Sequence, residues 1–76
     1  MEQDSTLYYL IRYENIHGAG FVTFNALHRD SSGNEEWHRM FGRQLVGGNI
    51  PYKFMEEVEE YIDSLEGWQH RILFSF

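Results

Sequence analysis

The stretch PYKFMEEVEEYIDSLE, residues 51–66, decides how the rest of the chain is read. Phe54, Met55, Val58, Tyr61, Ile62 and Leu65 recur at spacings of one, three, three, one and three, the period of a single helix face. Glu56, Glu57, Glu59, Glu60, Asp63 and Glu66 fall on the opposite side. Asn49 can cap the start. Pro51 is tolerated in a first turn, where its missing N–H has no partner to lose. Gly67 suits the left-handed position just past the end. The segment therefore predicts a helix with one apolar stripe and one acidic face.

An apolar stripe needs a surface to cover, and the flanking sequence supplies strands. Residues 6–14 alternate, with Leu7, Tyr9, Ile11 and Tyr13 on one side and Tyr8, Leu10, Arg12 and Glu14 on the other. Residues 15–20 hold Asn, His and two glycines and read as a turn. Residues 21–28 form a second strand: Val22, Phe24 and Ala26 share one face, Phe21, Thr23, Asn25 and Leu27 the other. The Asp-Ser-Ser-Gly-Asn run that follows is turn chemistry. Residues 36–46 fit either period, since Trp37, Phe41 and Leu45 align as strand or as helix. The hairpin-like loop before them favours a third antiparallel strand. Residues 68–76 alternate again, with Trp68, His70, Ile72, Phe74 and Phe76 on one face. That segment must be docked, or it would leave a sticky edge.

The expected fold is α+β: a small antiparallel sheet of three to four strands in the order β-β-β-α-β, with one amphipathic helix on one face. Its stripe should meet Tyr9, Ile11, Val22, Phe24, Ile72 and Phe74. With 76 residues, the chain is expected to form a single domain over residues 1–76, with the polar residues 1–5 frayed. A domain of this size buries little more than roughly 60% of its unfolded surface. There is no cysteine to add a disulfide, so the apolar and aromatic side chains must carry the core alone.

Twelve acids stand against six bases, for a formal net charge of −6. That argues against direct binding to a nucleic-acid backbone, which requires clustered Lys and Arg, and favours a basic partner. There is no basic leader followed by an apolar run and no apolar span, so a membrane is not expected and the cytoplasm is the default.

Four features carry functional readings. On the helix, Glu60 lies four residues from Glu56 and Asp63 four from Glu59. These like charges repel, and acids near a helix C-terminus oppose its dipole. Lys53, the only base of the segment, can reach Glu56 or Glu57. The functional reading is a surface of Glu56, Glu57, Glu59, Glu60 and Asp63 that docks on a basic protein groove. Against it stands a plain solvated face. The second feature is the sheet face away from the helix, where Tyr8, Leu10, Phe21 and Leu27 suggest an apolar interface in a homodimer or an interaction module. Third, His28 and His38 can face each other with Glu36 nearby, a donor set for zinc or iron. Without a Cys or a His-x-x-x-His pair, surface histidines explain them as well, and no metal or cofactor is expected. Fourth, catalysis lacks a signature. No serine sits in a nucleophile elbow, the carboxylates lie on an open helix face, and Gly47-Gly48-Asn49 lacks the Lys-Ser/Thr of a phosphate loop. The protein is therefore read as non-enzymatic.

No motif matches a named family residue by residue. In size, acidity and mixed sheet-plus-helix build, the chain resembles the small phage-encoded inhibitors of bacterial defence, anti-CRISPR proteins among them. Toxin-neutralising immunity proteins share the profile. The resemblance implies a non-enzymatic inhibitor that occupies the basic channel of a nucleic-acid-binding complex.

Overall fold

The computed structural model describes residues 6–76. The expected fraying of residues 1–5 lies outside them. Strands β1 (Thr6–Ile16), β2 (Ala19–Arg29) and β3 (Glu35–Gln44) precede helix α1 (Tyr52–Asp63), and β4 (Gln69–Ser75) follows it. The fold is α+β, with one four-stranded sheet in the order β3-β2-β1-β4.

The turns set the register. Between β1 and β2, His17 (φ 52°) and Gly18 (φ 84°) both adopt positive φ. This is the two-residue turn whose twist matches a hairpin, and it extends both strands beyond the six-residue turn the sequence suggested. Asn15 Oδ1 accepts the Gly18 N–H at 3.0 Å and fixes the corner. Between β2 and β3, Asp30 Oδ1 accepts from the Ser32 and Asn34 amides, both at 2.9 Å. A carboxylate holding backbone donors is favoured in its charged form, so the pKa of Asp30 lies below the ordinary value.

Residues 35–44 are a strand, which resolves the ambiguous stretch. They pair antiparallel with β2, and a bulge between Phe24 and Asn25 leaves Met40 as the extra residue. Gly42 meets this arrangement well: a Cβ there would lie 3.0 Å from both the Thr23 methyl and the Val22 carbonyl oxygen.

One expectation is corrected. The sheet is mixed, because β4 runs parallel to β1, with Tyr9 opposite Ile72 and Ile11 opposite Phe74. The cause is the helix. It carries the chain back along the sheet, so β4 leaves in the direction of β3, which is also that of β1. The helix start differs too. Pro51 occupies the N-cap with no side-chain cap hydrogen bond. Asn49 turns away, bridging to Val46 and donating from Nδ2 to the Gly47 carbonyl at 3.4 Å. Gly67 does adopt positive φ beyond the helix end.

The core lies between α1 and one sheet face: Tyr9, Ile11, Val22, Phe24, Phe54 and Val58 are buried. Tyr9 and Phe24 stack at 4.9 Å between centroids, and Tyr61 meets both edge-on at 5.9 and 5.8 Å. Phe41 meets Phe54 edge-on at 5.8 Å. Burying apolar surface at ~25 cal/mol per Å² is the main stabilising term. Ile72 packs against this cluster as expected. Phe74 does not: the helix sits over β1, β2 and β3, and Phe74 on the outer strand stays largely exposed.

Candidate functional site

The helix presents its acids as the periodicity requires. Glu56, Glu59, Glu60 and Asp63 are exposed and make no ion pair among the described residues, and Glu66 lies exposed just past the last turn. Glu57 is half-buried and pairs with Arg43 of β3. Lys53 pairs with none of the described acids, so the expected Lys53–Glu57 contact is replaced by a cross-element one. The helix has no acid in its first turn and no base in its last. Its charges are therefore arranged against the macrodipole rather than with it.

Strand parity explains why these carboxylates stay unpaired. Of the six Lys and Arg residues, Arg12, Arg29, Arg39 and Arg71 project from the sheet face away from the helix. Only Arg43 and Lys53 remain on the helix side, and Arg43 is held by Glu57. Two acids, Glu14 and Glu35, share the arginine-bearing face. The thin plate thus has a negative helix side and a mildly positive sheet side.

The far face is less uniform than its sequence suggested. Tyr8, Leu10 and Leu27 gather toward one end, with Leu27 opposite Trp37 and Leu10 opposite Leu73. Phe21 lies at the other end, opposite Glu14 and Gln44. All four candidate interface residues are half-buried. No second layer covers this face among the described residues, yet Thr23 and Asn25 at its centre are only 1% and 2% exposed. They are shielded by longer neighbours, Arg12 beside Thr23 and Leu10 and Arg39 beside Asn25.

A polar network that the sequence reading missed fills that centre. Asn25 Nδ2 donates to the Leu10 carbonyl at 3.1 Å and to Thr23 Oγ1 at 3.0 Å. The Thr23 hydroxyl donates to Glu14 Oε2 at 2.5 Å, and Arg39 Nη2 donates to Glu14 Oε1 at 2.9 Å. The hydroxyl bond, with Arg39 and Arg12 alongside, holds the Glu14 carboxyl below its ordinary pKa despite opposing desolvation. Thr23, Asn25, Arg12 and Glu14 all lie on the face read from the sequence as a candidate apolar interface. Four polar side chains on adjacent positions of a hairpin were the available signal.

The histidine pair forms. His28 and His38 stack face to face at 4.7 Å, and His38 Nε2 lies 2.9 Å from Glu36 Oε1. Stacked rings do not converge on one point. Among the described residues, no group of three or more His, Cys, Asp or Glu could hold a metal ion. The surface hollows are open rather than enclosed. One, of about 530 Å³, lies between β3 and the start of α1, bordered by Phe21, Arg43, Tyr52 and Lys53. A second of about 430 Å³ lies between Tyr13, Leu45, Ile50 and Phe76. No described helix is long and apolar enough to cross a membrane. Comparison of the chain with protein-family models, with curated proteins and with solved structures found no match.

Proposed function

We propose that this is a non-enzymatic, cytoplasmic binding protein that docks on a basic protein surface through Glu56, Glu59, Glu60 and Asp63. The observation that carries the reading is the separation of charge: four of the six basic residues lie on the opposite sheet face, so the helix acids are uncompensated from within. A row of carboxylates on a rigid rod suits a groove lined by Lys and Arg. The fitting partner is a protein whose basic channel normally holds nucleic acid, blocked in the manner of the phage-encoded inhibitors that the chain resembles. Glu57 is assigned a structural role, because Arg43 already neutralises it. Glu14, Asp30 and Glu36 are all shifted toward lower pKa, away from the raised value that would suit a carboxyl to acid–base work near neutral pH.

The test is affinity capture of partners from a bacterial lysate, followed by titration of the captured protein against salt. Exposed charges are screened, so affinity should fall steeply as salt rises. The double change Glu56→Lys and Glu60→Lys should abolish capture with the circular dichroism spectrum intact, whereas Glu57→Gln should retain it. Capture that survives the double charge reversal, or affinity indifferent to salt, refutes this mechanism.

A further inference from the structure

We propose that two copies of this chain pair edge to edge through β4, forming one continuous eight-stranded sheet. The inference is independent of the partner proposed above.

The two sheet edges are built differently. The β3 edge carries Glu35, Glu36, Arg39 and Arg43 and is broken by the bulge at Met40. Charges and bulges are the devices that keep an edge from pairing. The β4 edge has no bulge and little charge. Its seven residues include one formal charge, Arg71, and its register with β1 is unbroken from Gln69 to Ser75. Apolar side chains crowd along it: Trp68 is 52% exposed, Leu73 43%, Phe74 59% and Phe76 75%. Phe74 and Phe76 stack at 6.0 Å, so they already form one surface.

The occupant follows from the order of residues. Trp68-Gln69-His70-Arg71-Ile72-Leu73-Phe74-Ser75-Phe76 reads nearly the same in residue class from either end. A two-fold axis at Ile72 runs the second copy antiparallel and sets like against like. Trp68 meets Phe76 of the second copy, Gln69 meets Ser75, His70 meets Phe74, and Ile72 meets itself. Two-fold interfaces require this self-complementarity. Arg71 then stands opposite Leu73 rather than opposite Arg71 of the second copy, so the edge charges are not directly opposed. The four exposed side chains offer roughly 500 Å² per copy, given that one aromatic can bury 150–250 Å². At full burial two copies would supply at most about 1,000 Å² from these side chains, the lower bound for a specific interface, and the paired backbone groups add to it.

The absence of cysteine allows a clean test of register. Gln69→Cys and Ser75→Cys are exposed changes. Under oxidation, each variant alone should remain uncrosslinked, because equivalent positions would lie about 20 Å apart along the strands. The two mixed should give a disulfide-linked heterodimer. Sedimentation equilibrium of the unmodified chain should show a monomer–dimer equilibrium in the micromolar range. Both Leu73→Glu and Leu73→Lys lose apolar contact, but Leu73→Glu should dimerise about tenfold more tightly than Leu73→Lys, because each seam contains the pairing with Arg71 twice. A monomer at all concentrations, species larger than a dimer, crosslinking of either cysteine variant with itself, no crosslink in the mixture, or Leu73→Lys dimerising as tightly as Leu73→Glu would each overturn the proposal.

Discussion

Glu14→Gln tests the network on the open sheet face, because it removes one charge while leaving the shape almost unchanged. The Glu14 side chain is 19% exposed and accepts from Thr23 at 2.5 Å and from Arg39 at 2.9 Å. A hydrogen bond to a charged group is worth ~1.5–3 kcal/mol. Arg39 is half in water, so its share falls near the low value of a surface ion pair. Glutamine keeps one acceptor oxygen, and the expected loss at neutral pH is about 1.5 kcal/mol. For a domain of this size that lowers Tm by roughly 6–12 °C. The sign of the pH dependence is fixed. The folded pKa of Glu14 lies below its ordinary value of 4.5. The stabilisation is therefore present in full above the unfolded value and disappears as pH falls through the folded one. Below both, glutamine and protonated glutamate are near equivalents and the two proteins should unfold alike. The assay is urea unfolding by near-ultraviolet circular dichroism from neutral pH to about pH 2. Thr23→Val should show the same acid-limb signature, and the two changes should be strongly non-additive at neutral pH. An equal difference between Glu14→Gln and the unmodified chain at every pH would show that the carboxylate is not held by these donors.

Two further outcomes follow. Burial, with the Tyr61 phenol alongside, pushes the Tyr9 hydroxyl up to about 12, so a Tyr9→Phe change should remove a phenol that ionises near that pH from an absorbance titration. Because the fold favours the neutral phenol, its contribution is complete below the ordinary value of 10 and is lost as pH rises toward 12; a Tyr9 that ionises near 10 refutes this. Asp63→Lys adds a base to a last turn that has none and should stabilise the fold by about 0.3–1 kcal/mol in thermal unfolding, while weakening capture of a basic partner. Unchanged or lower stability would mean that the acid placement carries no cost.

What the sequence made legible was whatever depends on local period. The helix stripe of Phe54, Val58 and Tyr61, the inward faces of β1 and β2, and the glycine past the helix end all follow from spacings of two or three to four. What it left hidden depends on partners distant in sequence. Residues 36–46 satisfy both periods, and only pairing with β2, through a bulge at Met40 and the close approach of Gly42, selects the strand. The direction of β4 is set by the crossover. A spacing of two places Phe74 on the same face as Ile72, yet gives no sign that the helix stops short of it. The acidic helix face was readable in full, but its lack of compensation was not. Alternation already placed Arg12 and Arg71 on the opposite side; that Arg39 joins them while Arg43 does not follows only from the bulge at Met40. The Glu14–Thr23–Asn25 network was missed for a related reason: polar residues on an outward face look solvated until their neighbours are known to close over them.

Charge is the obvious objection to pairing two copies of a chain with net charge −6, and geometry answers it. The helix lies over β2, contacting β1 through Tyr61 with Tyr9 and β3 through Phe54 with Phe41. In a sheet continued through β4, five strand spacings separate the two helices, about 24 Å. At physiological salt the screening length is ~8 Å, so the two acidic rows scarcely sense each other. The seam itself brings together a nearly neutral strand, where desolvation removes aromatic surface rather than ions. Both helices would then lie on the same side of one plate. A partner with two basic sites at that spacing would be bound twice, the second contact made intramolecular by the first, and occupancy would rise without any new contact chemistry. The two interactions are separable by salt. Screening should weaken the acidic docking while leaving the apolar seam intact, so at high salt a dimer that no longer holds its partner is the expected species.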